Sequence, residues 1–173
     1  MQVLWLAFAV VFLDQAVKEV VLRQMALGSS IVVCGGLFDL RYVQNTGAAW
    51  GILEGFNGML VLLSVAVLAA MVIFRKHFLA DTFLSRLTLA LMVGGIAGNL
   101  MDRLKHGYVV DYLDFYHGQA HFPAFNIADS AICIGVGLYI ISQVLAGRSS
   151  SGSGGRAGAG DDHAVPKQVS NDA

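Results

Sequence analysis

The sequence predicts an all-α membrane protein with four transmembrane helices and a small extracytoplasmic β-region between the first and second helices. Hydrophobic residues make up 56% of the 173 residues and charged residues only 13%, against about 25% charged residues in soluble domains. Four apolar segments approach the length of about 20 residues that spans a bilayer. Between the first two segments, a β-branched run at 31–33 and a run that alternates in hydrophobicity at 38–43 predict two short strands.

The four predicted spans belong to one domain, 1–147, and they cover about 3–22, 59–74, 83–101 and 127–145. By its position, the first span could be a cleavable signal sequence. We predict a retained helix instead, because no basic region precedes it and because Asp14, Lys18 and Glu19 interrupt its apolar stretch.

Basic residues near the ends of the spans predict the orientation of the chain. Arg75, Lys76 and Arg86 lie around the short connection between the second and third spans, and Arg148 follows the fourth. Cytoplasmic loops carry an excess of Lys and Arg. We therefore expect both termini in the cytoplasm, although the outer connections also contain some basic residues.

Two segments outside the spans have distinct compositions. The runs 31–33 and 38–43 predict a hairpin, which we expect to rest on the membrane surface or on the helix ends, because an isolated hairpin is marginally stable in water. The Gly/Ser-rich segment 148–173 predicts a disordered cytoplasmic tail. We assign no chemistry to this tail.

Polar side chains concentrate at one predicted level of the helix bundle, near its outer face. They occur in the outer half of the first span, at the end of the third, in the loop that follows and at the start of the fourth: Asp14, Lys18, Asn99, Asp102, Arg103, Asp111, Asn126 and Asp129. Ionisable groups inside a bilayer are costly, so they indicate a functional site or a tight pair. The sequence therefore predicts a polar site near the outer interface.

Charged pairs in this set also allow structural interpretations. Asp14 and Lys18 are four residues apart and could form a simple intrahelical ion pair, or Asp14 could also support the site. For Lys18 itself, we favour a structural role or a contact with a lipid headgroup. Asp102 and Arg103 could form a charge cluster at the interface.

Two further patterns predict local structure. Asn126 and Asp129 have the spacing of a capping box at the start of the fourth helix, a role that is compatible with support of the site. Gly94, Gly95 and Gly98 include the spacing that lets two membrane helices approach closely. We interpret these glycines as a packing surface.

Asp111 and Asp129 are the pair best suited to catalysis. Asp129 lies in the first turn of a predicted helix, where the helix dipole favours an ionised carboxylate, and the loop with Asp111 could bring a second carboxylate beside it. Neighbouring carboxylates cannot both ionise easily, so one keeps a proton while the other activates water. This is the apparatus of an aspartic protease. Asp114 is an alternative partner, and spacing alone also allows the two aspartates to lie apart.

Other functions have weaker support in the residues. The net charge of −1 argues against nucleic-acid binding. No H-E-x-x-H motif occurs, and His117 with His121 lacks an obvious third ligand, so we predict no metal site. A transporter that relays protons through its carboxylates, or an assembly protein without chemistry, stays open on residue types alone.

Five motifs occur in order along about 13–144: DQxxK from Asp14, QNTGAAWG from Gln44, GGIAGNLMDR from Gly94, VVDYLDF from Val109 and FPAFNIADS from Phe122. On these motifs the sequence resembles the bacterial lipoprotein signal peptidases, also called signal peptidase II. The resemblance implies an aspartic endopeptidase that cleaves the signal peptide from diacylglyceryl-modified prolipoproteins, just before the lipidated cysteine. It places the protein in the bacterial inner membrane, with the active site near the periplasmic face.

The resemblance also implies roles for particular residues. It makes Asp111 and Asp129 the catalytic dyad and gives Asp114 a supporting place. Dyad support or substrate binding is implied for Asp14, Asn45, Asn99, Asp102, Arg103 and Asn126. The predicted hairpin corresponds to the family's β-cradle. No metal or organic cofactor is required, and the expected partners are the lipidated substrate and membrane lipid, with the enzyme itself a monomer.

Overall fold

A computed structural model of the chain describes residues 2–48, 52–75 and 82–151. In chain order these residues form α1 Gln2–Gln24, β1 Ser30–Cys34, β2 Phe38–Asn45, α2 Asn57–Ile73, α3 Phe83–His106, β3 Val109–His117, β4 Ala120–His121 and α4 Ile127–Ser151. Helix α3 is central, because it packs against α1 on one side and α4 on the other. Helix α2 packs mainly against α3.

The helices follow the four predicted spans. Two of them are long and apolar enough to cross a membrane, at 83–106 and 127–145, and α2 is a shorter apolar helix of 17 residues. Helix α4 continues to Ser151, so the first residues of the predicted tail are helical. The rest of that tail, from 152, lies outside the described residues.

The prediction of an all-α fold is wrong, because four antiparallel strands form a sheet in the order β1-β2-β3-β4. Strands β1 and β2 confirm the predicted hairpin. The sequence predicts a loop at Asp111, but this residue lies in β3. The β-region thus extends beyond the connection between the first two helices. Its first four residues, from Val109 to Tyr112, are all buried. Burial on both faces removes the apolar–polar alternation by which a strand is recognised in sequence.

The predicted glycine packing surface on α3 is confirmed. A Cβ atom on Gly94 would lie 2.8 Å from the carbonyl oxygen of Ala7 and 2.7 Å from Cβ of Val10, both on α1. A Cβ atom on Gly95 would collide with the carbonyl oxygen of Ala128 on α4. The missing side chains thus let α3 approach α1 and α4 closely.

A small apolar core joins the sheet to the end of α1. It contains Val21 of α1, Met25 just after that helix, Tyr42 of β2, and Val110 and Tyr112 of β3, all buried. The sheet therefore rests on the helix ends, which is one of the two predicted supports. This core holds β3 beside the start of α4, where the polar residues gather.

Candidate active site

The start of α4 is capped by side chains from two parts of the chain. Asn126 Oδ1 accepts a hydrogen bond from the backbone N–H of Asp129 at 2.9 Å, and Asp129 Oδ2 accepts one from the N–H of Asn126 at 3.2 Å. The N–H of Ala128 donates to Asp14 Oδ1 on α1 at 2.9 Å. The predicted capping box is confirmed, and Asp14 satisfies a third N–H of the first turn.

Asp111 on β3 is 1% exposed, and both of its carboxylate oxygens accept hydrogen bonds. Oδ1 accepts from Asn126 Nδ2 at 2.7 Å, and Oδ2 accepts from Asn45 Nδ2 at 2.8 Å. Asn45 lies at the end of β2, and its own Oδ1 accepts from the N–H of Gly47 at 2.9 Å. Asn126 therefore acts both as helix cap and as a donor to Asp111.

Asp129 belongs to the same polar cluster as Asp111. Its Oδ1 accepts a hydrogen bond from Asn99 Nδ2 on α3 at 2.7 Å. Asn99 Oδ1 in turn accepts from Asn126 Nδ2 at 3.2 Å. Both carboxylates therefore bond to Asn126, and the alternative in which the two aspartates lie apart is wrong.

Burial and charge change the acidity of Asp111. Removal from water raises its pKa to about 7, and the negative charge of Asp129 acts in the same direction. Hydrogen bonds from Asn45 and Asn126 lower the pKa and offset part of this rise. Asp111 therefore keeps a proton at pH values where an exposed aspartate is fully ionised, and the proton belongs to the pair of carboxylates.

A buried lysine is linked to Asp129 through Asn99. Lys18 is 2% exposed, and its Nζ lies 2.9 Å from Asp14 Oδ2, 2.9 Å from Asp102 Oδ2 and 2.9 Å from Asn99 Oδ1. The predicted pair with Asp14 is confirmed, but it is one part of a larger network. A contact of Lys18 with a lipid headgroup is wrong, since its amine is enclosed by these three acceptors.

Asp102 connects α3 to α1 and to β3. Its Oδ2 accepts from the N–H of Val110 at 3.1 Å, and its Oδ1 accepts from Gln15 Nε2 at 2.7 Å. The predicted charge cluster with Arg103 is replaced by the ion pair with Lys18. The sequence prediction gave Gln15 no role, although the DQxxK motif from Asp14 contains it.

Arg103 faces the chain that follows β2. Its Nη2 donates to the carbonyl oxygen of Gly47 at 2.9 Å, while its own carbonyl oxygen accepts from Asn57 Nδ2 at 3.3 Å. The guanidinium is also attracted by the charges of Asp129 and Asp111. Arg103 thus holds the turn with Asn45 near the two aspartates.

Asp114 is not part of this cluster. Its carboxylate lies 3.0 Å and 3.1 Å from Nδ1 of His121 and 3.8 Å from Arg41 Nη1. Asp114 therefore bonds to groups outside the set that surrounds Asp111 and Asp129. The choice of Asp111 and Asp129 rather than Asp114 as the dyad stays a prediction. Among residues 2–48, 52–75 and 82–151, no group of three or more His, Cys, Asp or Glu could hold a metal ion.

The family model for signal peptidase II matches residues 6–145. The chain belongs to the signal peptidase II family. Its relatives include the lipoprotein signal peptidase of Photorhabdus laumondii, 42% identical over 146 residues that cover 82% of this chain and 87% of that protein. The lipoprotein signal peptidase of Bacillus pumilus is 40% identical over 149 residues, which cover 86% and 96% of the two chains.

A solved structure agrees with this family assignment. A bacterial membrane enzyme determined by the in meso method at 2.3 Å resolution has a TM-score of 0.77 and 32% identity, over 90% of this chain and 93% of that one. Signal peptidase II proteins are proteases, so the chain is a hydrolase of the bacterial membrane. The resemblance inferred from the five motifs is confirmed.

In this signal peptidase II protein, all eight predicted site residues lie in one connected set: Asp14, Asn45, Asn99, Asp102, Arg103, Asp111, Asn126 and Asp129. Lys18 and Gln15 complete the set from α1. Close packing is required there, because a Cβ atom on Gly98 would lie 2.7 Å from Asp14 Oδ2. The glycine thus leaves the space that the buried carboxylate occupies.

Proposed function

We propose that this chain is a membrane aspartic endopeptidase that removes signal peptides from prolipoproteins, with Asp111 and Asp129 as its catalytic dyad. The main support is the pair of buried carboxylates that share the amide of Asn126. The raised pKa of Asp111, about 7, leaves one proton on the pair near neutral pH. One protonated and one ionised carboxylate is the state that an aspartic protease uses.

In the proposed reaction, Asp129 is the ionised member and Asp111 holds the proton. The first turn of α4 favours a negative charge at Asp129. Asp129 takes a proton from water, which attacks the scissile carbonyl carbon, while Asp111 donates a hydrogen bond to the carbonyl oxygen. The tetrahedral intermediate then collapses, the C–N bond breaks and the departing amine receives a proton from the pair.

The proposed substrate is a prolipoprotein whose cysteine already carries diacylglycerol, and cleavage occurs just before that cysteine. The relatives named lipoprotein signal peptidase support this substrate class. The dyad lies where apolar helices meet the sheet, so the acyl chains can remain in lipid while the scissile bond reaches the carboxylates. Binding energy from these remote groups positions the reacting carbonyl. Asn45, on the turn beside the dyad, and Arg103, which bonds to that turn from α3, are proposed to hold the substrate backbone.

We also propose that all four helices cross the bacterial inner membrane, with both termini in the cytoplasm and the dyad near the periplasmic face. Ile31, Val32 and Val33 of β1 are more than half exposed, at 53%, 65% and 56%, which suits a strand that rests on the membrane surface. The enzyme acts as a monomer and uses neither a metal nor an organic cofactor.

The test is cleavage of a diacylglyceryl-modified preprolipoprotein by the purified full chain in detergent. Asp111→Asn and Asp129→Asn are expected to lower the rate by about 10²–10⁴-fold or more, since each removes a proton-transfer group. Asp114→Asn is the matched control, because Asp114 is also buried on β3 but faces His121 and Arg41. Cleavage that survives in either dyad variant, or that fails equally in the folded control, would contradict the proposal.

A further inference from the structure

A groove opens between α2, α3 and α4 at the end of the bundle opposite the dyad. Its volume is about 300 Å³, at the lower end of the range of about 300–1,000 Å³ for ligand pockets. The lining is almost entirely apolar and includes Ala70, Phe74, Leu89, Met92 and Tyr139, with Arg75 at one end. These residues come from the end of α2 and the two residues after it, the first half of α3 and the middle of α4.

The groove exists because α2 is the least firmly packed of the four helices. Among its 17 residues only Leu60 is buried, near its first turn. The opposite end of α2, from Val67 onward, stands away from α4 and leaves the space open. An empty apolar space forfeits dispersion contacts for every atom that lines it. In a membrane, an acyl chain is the available molecule that fits an apolar groove open to lipid.

The positive charge of Arg75 favours a lipid with an anionic headgroup. Arg75 is exposed and forms no ion pair with any described residue, and in the sequence Lys76 follows it directly. Basic pockets between membrane helices bind anionic headgroups. The same charge disfavours a signal peptide as the occupant, because the N-terminal region of signal peptides is itself positively charged.

We propose that this groove binds a phospholipid with an anionic headgroup, its acyl chain between α2 and α4 and its phosphate at Arg75. In the orientation proposed above, the lipid comes from the cytoplasmic leaflet. The bound chain joins α2 to the bundle at the end where protein contacts are few. Since α2 begins at Asn57, whose amide donates to the carbonyl oxygen of Arg103, the lipid also steadies the helix that follows the turn beside the dyad.

Native mass spectrometry of the delipidated full-length protein in detergent tests this site, with phosphatidylglycerol and phosphatidylcholine as the added lipids. Wild-type protein is expected to retain phosphatidylglycerol preferentially. Arg75→Gln should weaken that retention about fivefold, since a basic residue near an anionic headgroup contributes about 1 kcal/mol. Arg23→Gln is the matched control, because Arg23 is exposed at the other end of the bundle and already paired with Glu19.

A second variant tests the groove itself. Ala70→Phe fills the space with a ring and should abolish the preference for phosphatidylglycerol, whereas Leu62→Phe, on a surface of α2 outside the groove, should keep it. If these variants do not fold, phosphatidylglycerol with a photoreactive acyl chain should label wild-type peptides that contain Ala70 or Met92.

Several results would overturn the proposal. Equal retention of the two lipids, equal weakening by the two arginine variants, or labelling away from the groove would each do so. If Ala70→Phe raises KM for the prolipoprotein but leaves lipid retention unchanged, the groove holds the signal peptide instead. Because the assay measures lipid rather than cleavage, these outcomes are independent of the proposed dyad.

Discussion

Replacement of Asp111 by asparagine should change how the stability of the protein depends on pH. In the folded protein the pKa of Asp111 is raised from 3.8 to about 7, chiefly by burial and then by the charge of Asp129. Between these two values the folded state binds a proton that the unfolded state has lost. The wild-type protein must therefore become less stable as pH rises through this window. Because asparagine does not titrate, the Asp111→Asn variant does not lose stability at this position as pH rises.

The structure gives the size of the effect. Each pH unit in a window from 3.8 to about 7 contributes about 1.4 kcal/mol. The loss of stability attributable to Asp111 is therefore at most about 4 kcal/mol between pH 4 and pH 8. In the variant, the NH2 group of the new asparagine also faces an N–H donor of Asn45 or Asn126. This contact between two donors lowers the stability by about 1–3 kcal/mol. That cost is the same at every pH, so the slope of the pH dependence is the quantity to compare.

The assay is the free energy of unfolding in mixed micelles, measured by SDS titration and far-UV circular dichroism from pH 4 to pH 8. The difference between wild type and Asp111→Asn should change by about 4 kcal/mol across this range, in favour of the variant at high pH. Asp114→Asn should retain the wild-type decline. Parallel curves for wild type and Asp111→Asn would refute the argument that burial holds a proton on Asp111.

Two other substitutions test the support of the site. Lys18→Met leaves Asp14 and Asp102 buried without their shared cation, and the same titration should show a loss of about 3–5 kcal/mol; an unchanged stability would show that the three groups are not an ionic network. Gly98→Ala places a Cβ atom 2.7 Å from Asp14 Oδ2 and should cost about 1–3 kcal/mol together with much of the cleavage rate. Gly137→Ala, with nothing within 4 Å, should do neither, and equal effects of the two alanines would refute the packing argument.

Local patterns were sufficient to predict the helices and the first hairpin. The apolar segments are long, β1 is rich in β-branched residues, and β2 alternates apolar and polar residues after the turn at Gly35 and Gly36. Strand β3 could not be predicted because its first four residues are buried on both faces. This burial results from the helices that pack against the strand. Such burial depends on tertiary contacts that no local pattern contains.

The site was predicted less evenly than the helices. Asp111 and Asp129 could be proposed as a pair because a helix start and a nearby aspartate are visible in sequence. Lys18 was given a minor role because Asp14, four residues earlier, already explained it as a local pair. Its second carboxylate partner, Asp102, is 84 positions later and reaches it only through the packing of α3 on α1. Gln15, which belongs to the DQxxK motif, was given no role for the same reason, since its bond to Asp102 also depends on this packing.

The distribution of the polar cluster along the chain has a consequence for biogenesis. Its members arrive in order of translation: Asp14 with α1, Asn45 with β2, Asn99 with α3, Asp111 with β3 and Asp129 with α4. Asp129, one member of the proposed dyad, is therefore synthesised after β3, which carries the other member, Asp111. If the dyad is as proposed, a nascent chain that has not yet inserted α4 lacks Asp129 and has no activity. Insertion of α4 then completes the active site.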